Sequence, residues 1–592
     1  MNDLINWLDD RTGLRKLVHA SLYEHIPGGS RWRYVWGSTL AFTFMVQLIT
    51  GVVLWSAYSP SAQTAWESVY YIQYEMTGGW LLRGIHHYTA QAMVVLLLLH
   101  FMQIVIDGAY KAPREFNFWT GLILAKLILA LSLTGYLLPW DQKGYWATKV
   151  ATNLMTNVPF IGEYLQRTVV GGADYGHHTL TRFFAIHAGV LPALVIFFIV
   201  LHLYLFRRHG IHAKQPTRRP DEYFWPDQVL KDAVACLAVL AIVITLVILH
   251  RVNGEVGAPL SAPADPSQPY DAARPEWYFL FLFQLLKYFD SQFVGAIVIP
   301  GVIFLIIALM PLVGRWKLGH GFNVGVTVAL AVGIALLTAE AVRQDAANPE
   351  HDRAIAAAAQ DAHRAVVLAQ APAGIPSEGA VALLRNDPLT QGPRLFAANC
   401  AACHGWDGHD GTGKPLAEAP TAPDLAGFAS RKWLTHFFDP AQIATPKFFG
   451  NTAFKDGDMV GVIRDEVAGY DEDERELLRA VIVALSAEAR LPSQRELDER
   501  DATLISHGRQ AMDELGCLDC HVFHDQGKAR APKLTDYGSR QWLIDFISNP
   551  AHADFYGRNN DRMPAFGEGQ LDERSIRLIV DWMRGEWYEP AE

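Results

Sequence analysis

Four histidines in two long apolar stretches have the spacing of axial ligands to haem iron. They are His86 and His100 in the first stretch, 14 residues apart, and His187 and His202 in the second, 15 residues apart. At about 100° and 1.5 Å per residue, each pair returns near one helix face, with its members about 21 Å apart. Because neutral imidazole is a standard haem ligand, two such helices can hold two stacked haems, with His87 left as a non-ligand.

Two further motifs can attach haem covalently. They consist of Cys400, Cys403 and His404 in the first motif and Cys517, Cys520 and His521 in the second. In a C-x-x-C-H sequence both thiols form thioether bonds to haem and the adjacent histidine ligates the iron. A zinc site would need more ligands at matching spacing, and redox dithiol pairs usually lack that histidine. The fifth cysteine, Cys236, lies in an apolar stretch, so a disulfide framework is not expected.

Methionine is the predicted sixth ligand of both covalently attached haems, because it raises their reduction potential. Met459 is the candidate between the two motifs, and Met563, in the sequence RMPAF, is the candidate after the second. Met583 falls in an amphipathic helical pattern and is predicted to pack in a core. Histidine ligation is the alternative, through His409, His436 or His524.

Membrane-spanning helices must position the first four histidines. Seven apolar stretches are long enough to cross a bilayer. They are residues 33–56, 80–106, 117–138, 184–206, 229–250, 293–314 and 321–342. The chain after residue 345 is rich in Ala, Asp and Glu and has no such stretch. The formal net charge is −11 and no basic stripe with interleaved aromatics occurs, so nucleic acid is not a predicted partner.

Basic residues mark one side of the predicted bundle. They lie in the N-terminal segment and in three alternate loops: Arg11, Arg15, Lys16, Lys111, Arg114, Arg207, Arg208, Lys214, Arg218, Arg219, Arg315 and Lys317. Cytoplasmic loops have the excess of Lys and Arg, so this side is predicted to be cytoplasmic. An odd number of spans then puts residues 343 onward outside, where C-x-x-C-H motifs receive haem. No cleavable signal sequence is visible, and residues 1–32 are predicted to form an amphipathic surface helix.

The C-terminal part of the chain contains an internal repeat. The first copy reads LFAANCAACHG, APDL and SRKWLTHFFDP, and the second reads LGCLDCHVF, APKL and SRQWLIDFISNP, with Trp433 and Trp542 at equivalent positions where packing is expected. The predicted organisation is a surface helix at 1–32, a four-helix dihaem bundle at 33–220, a three-helix part at 221–345, a linker at 346–385 that begins as a helical extension, and two modules at 386–492 and 493–592.

Paired glycines and two arginines support the haem interpretation. Gly37 and Gly51 are 14 residues apart on the first predicted span, and Gly121 and Gly135 are 14 apart on the third. Glycine lets a bulky planar group approach a helix backbone closely, although small-residue helix packing is the simpler alternative. Arg83 and Arg182 lie just outside the outer haem, where an arginine can pair with haem propionates or sit at the membrane interface.

An outer loop supplies a candidate proton acceptor. The sequence Pro275, Glu276, Trp277, Tyr278 is followed by FLFLF, so the Glu276 carboxylate should be partly desolvated and usable as a proton acceptor. The simpler alternative is a solvated loop glutamate. A second aromatic-rich outer loop reads LPWDQKGYWATKVATN, and the two loops together could frame an apolar pocket.

These motifs resemble cytochrome b of the cytochrome bc family. The resemblance rests on PEWY, PWDQ-x-GYWA, TLTRFF-x-x-H and the paired glycines, and it covers about 340 residues. It implies that Glu276 accepts a proton at an outer quinol-oxidation site beside Tyr278, and that Arg207 and Asp232 lie near an inner quinone site. The 15-residue histidine spacing and the seven spans are similar to the chloroplast-type branch, but Val35 stands where that branch has a cysteine, so no covalent extra haem is expected.

The predicted fold is all-α, a seven-helix transmembrane dihaem cytochrome b followed by two tandem class I-like cytochrome c domains. The predicted function is that of a bc-type quinol:cytochrome c oxidoreductase subunit in a bacterial inner membrane. A Rieske iron–sulfur protein must be a separate partner, since its centre needs two Cys and two His and only Cys236 is spare. A cytochrome c or similar acceptor and a homodimer are also implied. The alternatives are a dihaem anchor linking another enzyme to quinone, and a tethered multihaem carrier.

Overall fold

The computed structural model describes residues 2–213, 217, 220–252 and 257–590. Three of the basic loop residues, Lys214, Arg218 and Arg219, lie outside the described residues. The chain divides into an N-terminal unit, residues 1–369 and 375–381, and a C-terminal unit, residues 370–374 and 382–592. Each unit is described by itself.

The N-terminal unit is built on helices long and apolar enough to cross a membrane, and seven occur among the described residues. They are α3 (Val35–Trp55), α5 (Gly79–Asp107), α6 (Glu115–Tyr136), α9 with α10 (His177–Phe184 and Leu191–His209), α11 (Val229–Val252), α13 (Ile299–Val313) and α14 (Gly319–Ala346). The seven predicted spans are therefore confirmed, to within a few residues at most ends.

A wide turn explains why the two histidine pairs differ in spacing. Residues Ala185–Val190, between α9 and α10, form a π-helical turn that contains His187. A π turn accommodates one more residue than an α turn. Because of this extra residue, the 15-residue interval places His187 and His202 on one helix face. The 14-residue interval does the same for His86 and His100 in the regular helix α5.

The predicted basic segments meet at one end of the bundle. Arg114, after α5, donates to the His209 carbonyl at 2.9 Å, and Arg207 pairs with Glu24 at 3.0 Å. Arg315, before α14, pairs with Glu115 at 2.7 Å. These contacts join the N-terminal segment and three alternate loops, as the charge pattern requires of helices that cross in alternating directions.

The other three loops meet at the opposite end of the bundle. Their short helices are α4 (Ala65–Tyr70), α7 (Gln142–Asn153), α8 (Gly162–Val170) and α12 (Leu280–Leu286). Trp66 donates to the Ser261 carbonyl at 2.9 Å, and Asp141 caps α7 while accepting from the Ser261 amide at 3.0 Å. Arg274 makes a two-pronged contact with Asp345 at the end of α14. This end therefore holds the loop with Glu276 in place.

The segments flanking the bundle differ from prediction. The predicted single surface helix is two helices, α1 (Asn2–Thr12) and α2 (Leu14–Leu22), because Gly13 adopts a left-handed φ of 65° between them. Strand β1 (His25–Ile26) then pairs with β2 (Glu222–Tyr223). The helical extension after α14 breaks at Ala347, and a new helix, α15 (Pro349–Ala369), begins after Asn348 and belongs to the N-terminal unit.

The C-terminal unit consists of short helices and contains both repeat copies; its first helix begins at Val381, the last residue of the N-terminal unit. Its elements are α16 (Val381–Arg385), α17 (Pro388–Asn399), α18 (Arg431–Phe437), α19 (Asp458–Gly461), α20 (Glu472–Glu488), α21 (Arg495–Arg500), α22 (Ala502–Glu514), the strand pair β3 (Val522–Phe523) and β4 (Gln526–Gly527), α23 (Arg540–Ser548) and α24 (Glu573–Arg584). The two copies are confirmed as equivalent structures, because the helices that contain Trp433 and Trp542 each begin at a serine cap and stack the tryptophan on a phenylalanine.

The two copies are nevertheless one compact unit rather than two modules divided at residue 492. Helix α17 of the first copy packs on α24 of the second, where Gly392 lies against Trp582. Helix α22 of the second copy packs on α20 of the first, where Gly508 lies against Ala480. Each helix that leads into a C-x-x-C-H motif is therefore covered by the last helix of the other copy.

Candidate haem and quinol sites

The four predicted ligand histidines lie in two layers of the bundle. The rings of His86 and His187 face each other with centroids 6.4 Å apart and planes at 71°. Imidazole nitrogens bind transition metals at about 2 Å, so two rings on opposite sides of one metal ion have centroids about 6 Å apart. The His86–His187 pair therefore fits a single haem iron between the rings.

Threonine hydroxyls orient three of these rings. The contacts to Nδ1 are Thr50 to His86 at 2.9 Å, Thr120 to His202 at 3.1 Å and Thr134 to His187 at 3.1 Å. Each hydroxyl already donates to a carbonyl of its own helix, so its oxygen accepts from Nδ1–H and leaves Nε2 free to bind iron. The sequence analysis missed these threonines, although three Thr-Gly dipeptides at the paired glycines were a visible signal.

His100 is the exception among the four. Its Nδ1 is buried and has no hydrogen-bond partner within the part of the chain that the structure describes. The residue before the adjacent Gly37 is Trp36, where the other three sites have threonine. One of the four histidines is thus oriented by packing alone.

Each paired glycine lies against a predicted ligand ring on a neighbouring helix. A Cβ would lie 3.3 Å from the ring Cε1 at Gly37 with His100, Gly51 with His86 and Gly121 with His202, and 2.6 Å at Gly135 with His187. Each glycine thus leaves room for the imidazole ring of a predicted ligand, and the close approach of a haem plane to these glycines stays a prediction. The 14-residue glycine interval therefore follows from the histidine interval on the facing helix.

Replacing Gly135 by alanine is expected to remove most of the haem from the outer site. The new methyl group cannot fit beside His187 without moving the ring, and overpacking of this kind costs about 1–3 kcal/mol. The measurement is the b-haem content per chain. Gly51→Ala should cost less, and Gly325→Ala, where a Cβ meets nothing within 4 Å, should change nothing. Equal loss in all three variants would contradict this account.

The two predicted propionate-binding arginines are tied to the outer loops. Arg83 donates to Gln73 at 2.7 Å and to the carbonyls of Ala258 and Pro259 at 2.9 and 2.8 Å. Arg182 donates to the Thr168 carbonyl. Both guanidinium groups therefore anchor loops near the outer histidine layer, and their pairing with propionates stays a prediction.

Glu276 is paired rather than solvated. Its carboxylate accepts from Lys143 at 3.0 Å, and only 12% of the Glu276 side chain is exposed, against 40% of Lys143. Lys143 comes from the second aromatic loop, so the structure joins the two loops as predicted. The loop sequence that contains Lys143 did not by itself predict this partner. Pro275 precedes the carboxylate in the same loop.

The neighbours of Glu276 connect it to helices α5 and α6. Trp277 donates to Gln91 at 3.1 Å, and Gln91 contacts His87 Nε2 at 2.9 Å. Tyr278 hydrogen-bonds Ser132, and burial, followed by the charge of Glu276, raises the pKa of the Tyr278 hydroxyl. Tyr278 is thus a neutral hydrogen-bonding group, and Gln91, which also contacts the non-ligand His87, links the loop to the helix that contains His86.

The inner candidates lie at the basic end but are engaged separately. Arg207 pairs with Glu24, and Asp232 is buried and accepts from Gln228 at 2.8 Å. A second buried carboxylate, Asp107, pairs with Arg33 at 3.0 Å. The sequence analysis missed Asp107, whose position at the end of an apolar span was the available signal.

The C-x-x-C-H histidines are poised as ligands. His404 Nδ1 donates to the Pro423 carbonyl at 2.8 Å, and His521 Nδ1 donates to the Pro532 carbonyl at 2.6 Å, so Nε2 stays free in both rings. Burial lowers the pKa of His404 and of His521, which keeps the rings neutral. The structure thus orients both histidines identically.

The first thiol of each motif is buried, unlike the thiol of a reactive cysteine. Burial raises the pKa of Cys400 to about 12 and that of Cys517 to about 11, whereas reactive cysteines have lowered pKa values. Among the described residues, no group of three or more His, Cys, Asp or Glu is placed to hold a metal ion. Covalent haem attachment fits these residues better than zinc or a redox dithiol.

The candidate sixth ligands occupy different surroundings. Met459 packs against the core that contains Trp433, and Met563 packs against the core that contains Trp542. Of the alternative histidines, His409 Nδ1 accepts from the Gly411 amide and His524 pairs with Glu488. Met583 lies in α24, and His436 lies in α18.

Known proteins match all three parts of this architecture. The model "Cytochrome b/b6/petB" matches residues 24–210, the model "Cytochrome b(C-terminal)/b6/petD" matches 263–342, and the model "Cytochrome c" matches 389–479. Cytochrome b6 of Synechococcus sp. (strain JA-3-3Ab) is 38% identical over 211 residues, which are 36% of this chain and 98% of that protein. The chain belongs to the cytochrome b/b6 family.

A second relative extends beyond the first four spans. Cytochrome b of Rhodobacter capsulatus is 31% identical over 314 residues, which are 50% of this chain and 70% of that protein. A solved structure, "Hyperthermophilic respiratory Complex III", aligns with a TM-score of 0.47 and 25% identity over 56% of this chain and 96% of that chain. The three family models and the seven candidate spans make the protein a multi-pass cytochrome b fused to a cytochrome c domain, and the cytochrome c match covers the first repeat copy.

Proposed function

We propose that the chain is the cytochrome b–dihaem cytochrome c subunit of a bc-type quinol:cytochrome c oxidoreductase. Quinol would be oxidised beside Glu276, giving one electron to a Rieske protein and the other to the transmembrane path marked by His86, His187, His100 and His202. The observation that supports this most is the placement of Glu276, whose loop contacts Gln91, five residues after His86 in the same helix. An electron carrier without a quinol site would need no such buried, paired carboxylate.

The chain's own residues would handle the protons. Glu276, held by Lys143 in a largely buried site, would accept a proton from the quinol hydroxyl and pass it to the outer side. Tyr278 would stay protonated and hydrogen-bond the substrate, because burial raises its pKa. At the inner end, Asp232 and Arg207 would serve quinone reduction, with Arg33 and Asp107 nearby as a further charged pair.

Two b-type haems and two c-type haems would be bound by the histidines and cysteines described, and they supply one-electron transfer. The N-terminus would lie in the cytoplasm and the C-terminal unit on the periplasmic side of a bacterial inner membrane. The proposed partners are a Rieske iron–sulfur protein, a quinol, a cytochrome c or similar acceptor, and a second copy of the complex.

The deciding experiment is quinol-to-cytochrome c electron transfer by the purified complex with and without its Rieske protein. Activity should depend on the Rieske protein, and haem extraction should yield equal amounts of b and c haem. Full activity in its absence would contradict the proposal and favour a simple quinone-reactive anchor.

A further inference from the structure

The two repeat copies of the C-terminal unit exchange their last helices, and this decides which methionine faces which haem. The crossing helices α17 with α24 and α20 with α22 each join one copy to the other. We infer that Met563 is the sixth ligand of the haem on Cys400, and that Met459 is the sixth ligand of the haem on Cys517. The simplest assignment from sequence, in which each copy supplies its own methionine, is the reverse.

The second haem position gives the most direct support. Met459 and Cys517 pack against the same buried core, whose members run from Phe428 to Tyr537 and thus do not extend to Cys400. The first copy's methionine segment therefore lies beside the second copy's haem-attachment motif.

The first haem position is built in the same way. Helix α17 ends at Asn399, directly before Cys400, and Phe396 near its end packs on Trp582 of α24. Trp406, two residues after His404, stacks on Trp582 with centroids 4.1 Å apart. The covering helix α24 begins ten residues after Met563, so the chain leading into it is the second copy's methionine segment.

The crossover occurs at equivalent points of the two copies. The segments before the two tryptophan helices touch each other, since Gly538 lies against Ala429 and Phe428 packs on Tyr537 with centroids 5.4 Å apart. Arg584 of α24 donates to the carbonyls of Ala489 and Gly538 at 2.7 and 2.6 Å. Two chain segments that touch at equivalent positions of the repeat are the expected hinge of an exchange between repeated modules.

This inference rests on the proposed presence of two c-type haems, and a spectroscopic assignment tests it. The full-length complex would be made with Cys400→Ala and Cys403→Ala, so that the remaining c haem is the one on Cys517. In that background Met459→Leu should abolish the methionine–iron charge-transfer band of the oxidised haem, whereas Met563→Leu should leave it. The reverse result, or a band that survives both substitutions, would overturn the exchange.

If both substitutions abolish the band, cutting the chain tests the helix exchange on which the ligand assignment depends. A protease site would be inserted between Glu499 and Arg500, both exposed, in the otherwise unaltered complex. After cleavage the fragment from 500 onward should stay with the membrane fragment without denaturant, because α22 and α24 pack on the first copy. Release of that fragment with its haem would overturn the exchange.

A glycine variant separates helix exchange from mere contact between independent domains. Gly392→Leu and Gly508→Leu made together, one at each crossing, should release the cut fragment, whereas Gly461→Ala, where a Cβ meets nothing within 4 Å, should not. Retention in both variants would contradict the exchange. None of these readouts involves quinol, so a failed exchange and a failed quinol-oxidation proposal give different results.

Discussion

Replacing Glu276 by glutamine is expected to slow quinol oxidation by about a hundredfold or more. Glutamine keeps the size of the side chain but cannot accept the quinol proton, and a positioned general base typically contributes about 10²–10⁴ in rate. The steady-state rate of quinol-dependent cytochrome c reduction measures the effect. Haem content should be unchanged, because Glu276 contacts Lys143 rather than a histidine ligand.

Two control variants separate proton transfer from charge pairing. Lys143→Met breaks the ion pair but keeps the carboxylate, so we expect a loss of only a few fold, in line with the small contribution of partly exposed pairs. Glu340→Gln removes a carboxylate that pairs with Arg343 on an exposed face of α14 and should have no effect. A Glu276→Gln variant no slower than Lys143→Met would contradict the role of Glu276 as base.

Replacing His100 by alanine is expected to remove one of the two b haems and to stop electron transfer across the membrane. The ring lies in the inner layer, and no other residue can replace its Nε2 at that depth of α5. The b-haem content, measured as the pyridine haemochrome, should fall from two haems per chain to one, while the c-haem content should not change. Quinol oxidation should stop after a single turnover, because the second electron has no exit.

His87→Ala is the matched control for His100→Ala. His87 is a partly buried histidine in the same helix, but its ring contacts Gln91 rather than a facing histidine. Both b haems should therefore remain, with at most a moderate change in the Michaelis constant for quinol through the Gln91–Trp277 contact. Loss of a b haem from His87→Ala would show that the ligand assignment is wrong.

The sequence predicted the bundle well because its signals are local. Spans of about 20 apolar residues, alternating basic loops and histidines at helical intervals each follow from a short piece of chain. The prediction that His187 and His202 share one helix face is consistent with the structure. The π turn that brings them onto that face depends on backbone geometry that no single residue in Ala185–Val190 specifies.

Partnerships between distant segments were harder to predict. The Lys143–Glu276 pair joins residues 133 apart, and nothing in the sequence around Lys143 indicates which carboxylate it meets. The threonines beside the glycines follow a pattern, Thr-Gly, that becomes meaningful only when the facing histidine is known. The contact between Gly135 and the ring of His187 likewise joins two helices that are distant in the sequence.

The helix exchange in the C-terminal unit could not be predicted from the repeat. The first helix of each copy has a glycine at the packing position, Gly392 or Gly508. Either first helix could therefore pack against either last helix. The repeat pattern therefore defines two equivalent copies but not the connections between them. The short segment between α20 and α22 brings those neighbours together in the structure, and the remaining two helices then pair with each other.

The central claim is that one quinol sends its two electrons along two separate paths. The most direct measurement adds a pulse of oxidised acceptor to the purified complex with quinol and the Rieske protein present, while b- and c-haem absorbance are recorded together. The account predicts that the pulse oxidises the c haems and at the same time increases the reduced fraction of the b haems. Oxidation of the b haems together with the c haems, as a single linear path would give, would contradict it.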